Sequence, residues 1–228
     1  ELNVGTPTFF EGLEGLLAGT TLDDWKAYLR WKLLEATVSQ LPKAFSQQNL
    51  KFRNELYGSA GGEDRWQRCL LEVDGAMGHA LGEAYVRKHF DESAKKAMAD
   101  LSAAIKAALK DDIEQADWMA PETKRHALEK AAALSLKVGY PDQPQDYRGL
   151  EIVRGDAYGN ARRARAFGFR QNLSKIGRSV DKKAWDMSAP TVNAYYDVQN
   201  NEIVFPAGIL QPPFFDPGAD PAVNYGAI

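Results

Sequence analysis

Through most of this chain, apolar side chains recur at three- and four-residue spacing, which lines them up on one face of an α-helix. Leu22, Trp25, Leu29 and Leu33 make the first such stripe; Trp31 and Leu34 widen it and predict a helix buried on more than one side. Thr21-Leu22-Asp23-Asp24 supplies a capped start with acids in the first turn, where the helix dipole favours them. A second helix is predicted after Pro42, carrying Phe45, Phe52, Leu56 and Tyr57, with Gly58–Gly62 as a turn. A long helix follows from about Glu63 to Phe90, with Trp66, Leu70, Val73, Met77, Leu81 and Tyr85 in one stripe. Gly75, Gly78 and Gly82 lie beside that stripe. Each interior glycine costs about 1 kcal/mol against alanine, so three of them predict the close approach of another helix. Residues 91–116 repeat the pattern with Met98, Leu101, Ile105, Leu109 and Ile113. Pro121-Glu122 opens a further helix, expected to end near Gly139-Tyr140-Pro141.

The period changes late in the chain. Pro141 to Gly149 is rich in Pro, Asp and Gln and reads as a loop and a domain boundary, and a last helix is predicted over 157–176. Only after Trp185 does alternation take over: Val192, Ala194 and Tyr196 against Asn193, Tyr195 and Asp197. A polar turn, Val198–Asn201, then leads to Glu202-Ile203-Val204-Phe205-Pro206, which reads as a hairpin. Pro206, Pro212 and Pro213 argue against central-strand pairing and predict an edge position. The fold class that emerges is mainly α, a multi-helix domain followed by a short β-hairpin.

Composition narrows the function classes. The chain has 228 residues, 44% hydrophobic and 26% charged, with a formal charge of −3, ordinary for a globular protein and no attraction to nucleic acid or anionic lipid. No apolar run is long enough for a membrane span, and Glu1-Leu2-Asn3-Val4-Gly5 lacks the basic start and apolar core of a signal peptide. Arg162, Arg163, Arg165 and Arg170 surround Phe167 and Phe169, an arrangement able to hold single-stranded nucleic acid. The cluster is short and the net charge negative, so a salt-bridged surface helix is the expectation. Cys69, the one cysteine, excludes an internal disulfide and a Cys-based zinc site; it reads as a small buried hydrophobe or as half of a bridge to a cysteine outside the chain. His79, His89 and His126 share no ligand spacing, and His79 with Glu83 gives two weak ligands where zinc needs three or four. These histidines are expected to be exposed or capping. The segment from Asn193 to Phe215 carries more chemistry. An extended peptide binds by adding a strand to an exposed sheet edge, and an edge strand beside a side-chain amide suits that purpose. On the residues alone, an edge hairpin that merely closes a helical domain stands beside this reading.

Asn193-Ala194-Tyr195-Tyr196, followed by Asn201-Glu202-Ile203-Val204-Phe205-Pro206-Ala207-Gly208-Ile209-Leu210-Gln211-Pro212-Pro213-Phe214-Phe215, is similar to the substrate-edge segment of the neprilysin family of zinc metalloendopeptidases. Trp25-Lys26 with Tyr28-Leu29 and Trp31, Arg65-Trp66 with Cys69, Met77-Gly78 with Ala80, Gly82 and Tyr85-Val86, Trp118-Met119 with Glu122-Thr123-Lys124, and Val138-Gly139-Tyr140-Pro141 agree with the same family in order. The resemblance implies that Asn193 (side chain) and Ala194 (main chain) hydrogen-bond the substrate backbone. It implies that Ile209 and Phe214 wall the hydrophobic pocket for the residue after the scissile bond. It makes residues 1–140 a helical lid-like domain and 141–228 the first part of a gluzincin-like catalytic domain. The family's His-Glu-x-x-His zinc helix, third zinc ligand and catalytic acid/base groups are then expected beyond Ile228. Catalytic and metal residues are accordingly expected to be absent from this stretch: a fragment, inactive alone, that completes a peptidase only with a C-terminal catalytic portion and zinc. Peptides are the implied substrates, and the implied compartment is extracytoplasmic. The other reading is a non-catalytic helical module that binds a peptide or protein. A cut-off catalytic domain would leave Ile203, Phe205, Ile209 and Phe214 uncovered and prone to self-association.

Overall fold

The computed structural model describes residues 4–58 and 64–228. The predicted turn at Gly58–Gly62 and the predicted helix start at Glu63 fall largely outside them; Gly58 itself is described. Two compact units emerge, one of Glu1–Arg68 with Val153–Asn160, the other of Cys69–Ile152 with Ala161–Ile228.

The first unit is built from α1 (Pro7–Gly19), α2 (Leu22–Thr37), a 3-10 turn (Val38–Gln40) and α3 (Lys43–Tyr57). The hydrophobic pattern predicts no element at α1, although Pro7 stands in its first turn. Thr21 caps α2 as predicted, its hydroxyl accepting the Asp24 N–H at 3.2 Å. Gly58 ends α3 in the left-handed conformation (φ 66°), a conformation that favours glycine, and its N–H donates to the Asn54 carbonyl at 2.9 Å. Burial does not follow the prediction. Leu22 is 69% and Leu29 59% exposed, and Trp31, Leu33 and Leu34 are exposed as well. Among the described residues, Thr37 is the only buried one on these three helices. The stripe is real, but the unit supplies little for it to pack against beyond such contacts as the edge-to-face Trp31–Phe52 pair.

The second unit holds the core. It takes in most of α4 (Arg65–His89), then α5 (Glu92–Gln115), α6 (Pro121–Ala132), β1 (Ser135–Gly139), most of α7 (Ala157–Leu173), β2 (Tyr195–Asp197), β3 (Glu202–Pro206) and α8 (Pro221–Ala227). Asp91 caps α5 by accepting the Ala94 N–H at 2.8 Å. Phe90, Ala94, Met98, Leu101, Val138, Ala189, Ala207, Leu210 and Phe215 form one buried cluster. Ile105 and Leu109, further along the α5 stripe, are exposed.

Three expectations are corrected in this unit. The helix from Pro121 ends at Ala132, not near Gly139, and 135–139 is a strand that pairs in parallel with β3. A partner 67 residues away leaves no mark on local periodicity, so the run Ser135-Leu136-Lys137-Val138 passed for helix. The sheet order is β1-β3-β2, which makes the run bearing Pro206 the central strand; Pro206 is tolerated because it is the last residue of that strand. The glycines of α4 face a loop, not a helix: a Cβ on Gly78 would lie 3.0 Å from Ser188 Cβ, and one on Gly82 3.2 Å from Ala189 Cβ. Gly75 has no such neighbour. α4 is also broken at Met77, whose φ of −152° and ψ of 45° are not helical. Its predicted stripe divides there, with Trp66, Leu70 and Val73 exposed and Met77, Leu81 and Tyr85 partly buried.

Candidate functional site

Asn193 and Ala194 are both exposed and lie immediately before β2. β2 pairs antiparallel with β3 through Tyr195↔Val204, Tyr196↔Ile203 and Asp197↔Glu202 and is an edge of the three-stranded sheet. The Asn193 side chain uses Oδ1 to accept the Ala194 N–H at 2.8 Å. Nδ2, with two donors, has no protein partner among the described residues. An amide so held presents hydrogen-bond donors beside a sheet edge, which is what recognition of a peptide carbonyl requires.

The second half of the candidate site follows β3. Leu210 and Phe215 are almost fully buried in the core. They anchor the run on both sides and leave their neighbours Ile209 half-buried and Phe214 41% exposed. Gln211 Nε2 donates to the His89 carbonyl at 3.1 Å, fastening the run to the end of α4. Asn224 of α8 fastens its far end, accepting the Asp216 N–H at 3.0 Å and donating to the Asp216 carbonyl at 2.9 Å. The expectation that Ile203, Phe205, Ile209 and Phe214 all stand uncovered is met only by Phe214; the other three are half-buried.

Gly208 joins the two halves. Its N–H donates to the Ala189 carbonyl at 2.7 Å, and a Cβ there would fall 2.4 Å from the Pro190 carbonyl oxygen. Only glycine lets the run after β3 lie this close to the segment leading into Asn193. Lys137 Nζ on β1 lies 2.7 Å from Glu202 Oε1 and donates to the Ala184 carbonyl at 2.7 Å. These polar residues were not singled out from the sequence. Their one signal is an acid and a base inside otherwise apolar strands.

The histidines do not behave as expected from sequence in every case. His79 is half-buried, its N–H donating to the Tyr147 hydroxyl at 3.2 Å. Burial pushes its ring below the ordinary histidine range, partly offset by a hydrogen bond with the Trp185 backbone and by Asp74. The ring lines a cleft of about 860 Å³ with Lys95, Tyr140, Gln145, Lys175 and Trp185; Asn193, Ala194, Ile209 and Phe214 do not line it. Because the folded state favours neutral His79, its contribution to stability is present above the ordinary pKa near 6.5 and is lost as pH falls below it. An NMR titration is expected to place the His79 midpoint below 6.5; a midpoint at or above that value would contradict this burial.

Phe167 is buried and stacks on Tyr147 with ring centroids 6.0 Å apart, so it is a core residue and not a platform for a base. Cys69 is exposed, which sets aside its reading as a buried hydrophobe. As for zinc, no group of three or more His, Cys, Asp or Glu side chains among the described residues could hold a metal ion. His126 lies 3.0 Å from Glu122 and 3.3 Å from Glu129, but all three are exposed and Arg125 already engages both carboxylates. Among the described residues this trio does not fit a zinc centre.

The models of peptidase family M13 match residues 1–141 and 193–228, the second match beginning at Asn193 itself. An endothelin-converting enzyme homolog from Locusta migratoria is 37% identical over 99% of this chain, which spans 33% of that relative. Neprilysin from Homo sapiens is 33% identical over 99% of this chain, which spans 31% of it. Among solved structures, the Mycobacterium tuberculosis zinc metalloprotease Zmp1 in complex with an inhibitor superposes with a TM-score of 0.87 at 41% identity, covering 95% of this chain and 33% of that one. The chain therefore spans about a third of the length of the relatives it matches.

Proposed function

The chain belongs to peptidase family M13, the neprilysin family, and from that premise we propose that it supplies the substrate-holding edge of a zinc-dependent endopeptidase acting on oligopeptides. The observation that carries this is the placement of Asn193–Ala194: exposed, with a free amide donor, at the mouth of an edge strand. Asn193 holds the backbone of an extended peptide through its side chain and Ala194 through its main chain, with Ile209 and Phe214 receiving the side chain beyond the bond to be cut. Residues 1–140 serve as a helical lid-like domain and 141–228 as the first part of the catalytic domain, a division supported by two separate family matches. Zinc supplies the bond-breaking chemistry in the full-length protein, and its ligands are assigned to the remainder of that protein. The same remainder covers the exposed apolar faces of α1, α2 and α3. Cys69 pairs with a cysteine outside this stretch, consistent with its exposed thiol. The compartment is extracytoplasmic; among the described residues no helix is long and apolar enough to cross a membrane.

The test compares the full-length protein with the piece 1–228. The full-length protein is expected to cleave oligopeptides, to lose that activity to a chelator and to regain it with zinc. The isolated piece is expected to cleave nothing, to bind no stoichiometric zinc and to self-associate on a sizing column through its uncovered apolar positions. Zinc-dependent turnover by 1–228 would refute the assignment. A full-length protein that binds peptides without cleaving them would establish a binding module instead.

A further inference from the structure

Among the described residues, the Asn193 side chain has one hydrogen bond, to the next residue. Its place is inherited from its neighbours. Downstream it is held by β2, where the Tyr195 hydroxyl also accepts the Asp186 N–H at 3.2 Å. Upstream the chain is held at Ser188–Thr191, only two residues from Asn193. Ser188 Oγ donates to Asp74 Oδ1 of α4 at 2.7 Å, and Ser188 Oγ and Thr191 Oγ1 are 3.1 Å apart. The Thr191 N–H donates to the Ser188 carbonyl at 3.1 Å, closing the segment into a tight turn.

The helix is shaped to receive this turn. Asp74 stands just before the break at Met77 and Gly78 and Gly82 just after it, one helical turn apart, and all three adjoin this turn. Gly78 has no side chain, so the Asp74 carboxylate lies across it; a Cβ there would be 2.7 Å from Asp74 Oδ1. Gly82 gives Ala189 the same room, and Ala189 is buried. From the opposite side the Gly208 backbone closes on Ala189 and Pro190. Ser188–Thr191 is thus held by α4 and by Gly208, and among the described residues the carboxylate that bonds this segment is Asp74.

We propose that Asp74 is a positioning residue for substrate binding: through Ser188 and Thr191 it sets where Asn193 and Ala194 meet the peptide backbone. This rests on the peptide-holding role of Asn193 proposed above. A donor must lie within a few tenths of an ångström of its place to be effective, and misplacement by about 1 Å can cost up to about a hundredfold in rate.

The experiment is a double-mutant cycle on peptide cleavage by the full-length protein. Asp74→Ala is expected to lower kcat/KM about tenfold, the loss set by a misplaced hydrogen bond. Asp74→Asn retains an acceptor for the Ser188 hydroxyl and is expected to recover most of that loss. In an Asn193→Ala background, Asp74→Ala is expected to cost about threefold rather than tenfold, since the Asn193 amide is gone and only the Ala194 main chain is left to misplace. Ser188→Ala repeats the cycle from the other end of the hydrogen bond should Asp74→Ala fail to fold. A merely structural role would lower activity equally in both backgrounds, and that result overturns the proposal, as does full activity in both Asp74→Ala and Ser188→Ala. If Asn193→Ala itself leaves kcat/KM unchanged, the peptide-holding role fails first and the positioning role with it. If Asn193→Ala is impaired and the cycle is additive, only the positioning role fails.

Discussion

Truncating Glu202 to alanine is expected to destabilise the protein by about 3–5 kcal/mol, the cost of removing one partner from a buried ion pair. The Glu202 side chain is 5% and the Lys137 side chain 10% exposed, and their N···O separation is 2.7 Å. Once the carboxylate is gone, Lys137 keeps its bond to the Ala184 carbonyl, but its ammonium loses its hydrogen-bonded carboxylate and retains only the weaker attraction of Asp197. Replacing both residues with apolar ones of similar size, Lys137→Met with Glu202→Leu, removes the charges together and is expected to restore most of the stability. Urea unfolding of the full-length protein, followed through Trp185 beside the Ala184 anchor, measures both variants. A loss below about 1 kcal/mol for Glu202→Ala would show that the pair is solvated in solution, as exposed pairs are.

Asn193→Ala is expected to lower kcat/KM for peptide cleavage by the full-length protein by about 1–3 kcal/mol, roughly five- to a hundredfold, with little change in stability. The side chain is exposed and bonds only the Ala194 N–H, so its removal leaves no cavity and disturbs no core. On the proposed reading, what it removes is the hydrogen-bond partner of a peptide group that binding takes out of water. Asn193→Asp separates the two halves of the amide: it keeps an oxygen for the Ala194 N–H but has no Nδ2 to donate. The aspartate variant is therefore expected to be as impaired as the alanine one. An aspartate variant with full activity would mean that Asn193 serves only its own neighbour.

What was legible in the sequence was what local physics decides. The Thr21 cap, the helix after Pro42, the helix over 91–116 and the turn between Asp197 and Glu202 each follow from residues within a few positions of one another. What was not legible depends on partners far along the chain. β1 is a strand only because β3 lies beside it, so Leu136 and Val138 alone could not separate strand from helix. The stripe of Leu22, Leu29 and Leu33 repeats at helical spacing along α2, yet periodicity alone could not say that these side chains would stand exposed. Gly78 and Gly82 signalled a close approach, but nothing in their spacing said that Ser188–Pro190 would make it. The candidate peptide edge was legible as a pattern, through Asn193, Phe214 and the prolines. Its supports, Asp74, Gly208 and the Lys137–Glu202 pair, were not, because each is defined by a neighbour more than fifteen residues away.

The most direct test of the central claim is a structure of the full-length protein with a non-cleavable oligopeptide bound. The account predicts an extended peptide alongside β2, with Asn193 Nδ2 and the Ala194 main chain each within about 3.2 Å of peptide backbone atoms. It also predicts that Ile209 and Phe214 lie against one peptide side chain. A peptide bound elsewhere in the chamber, with the Asn193 amide left in water, would contradict it.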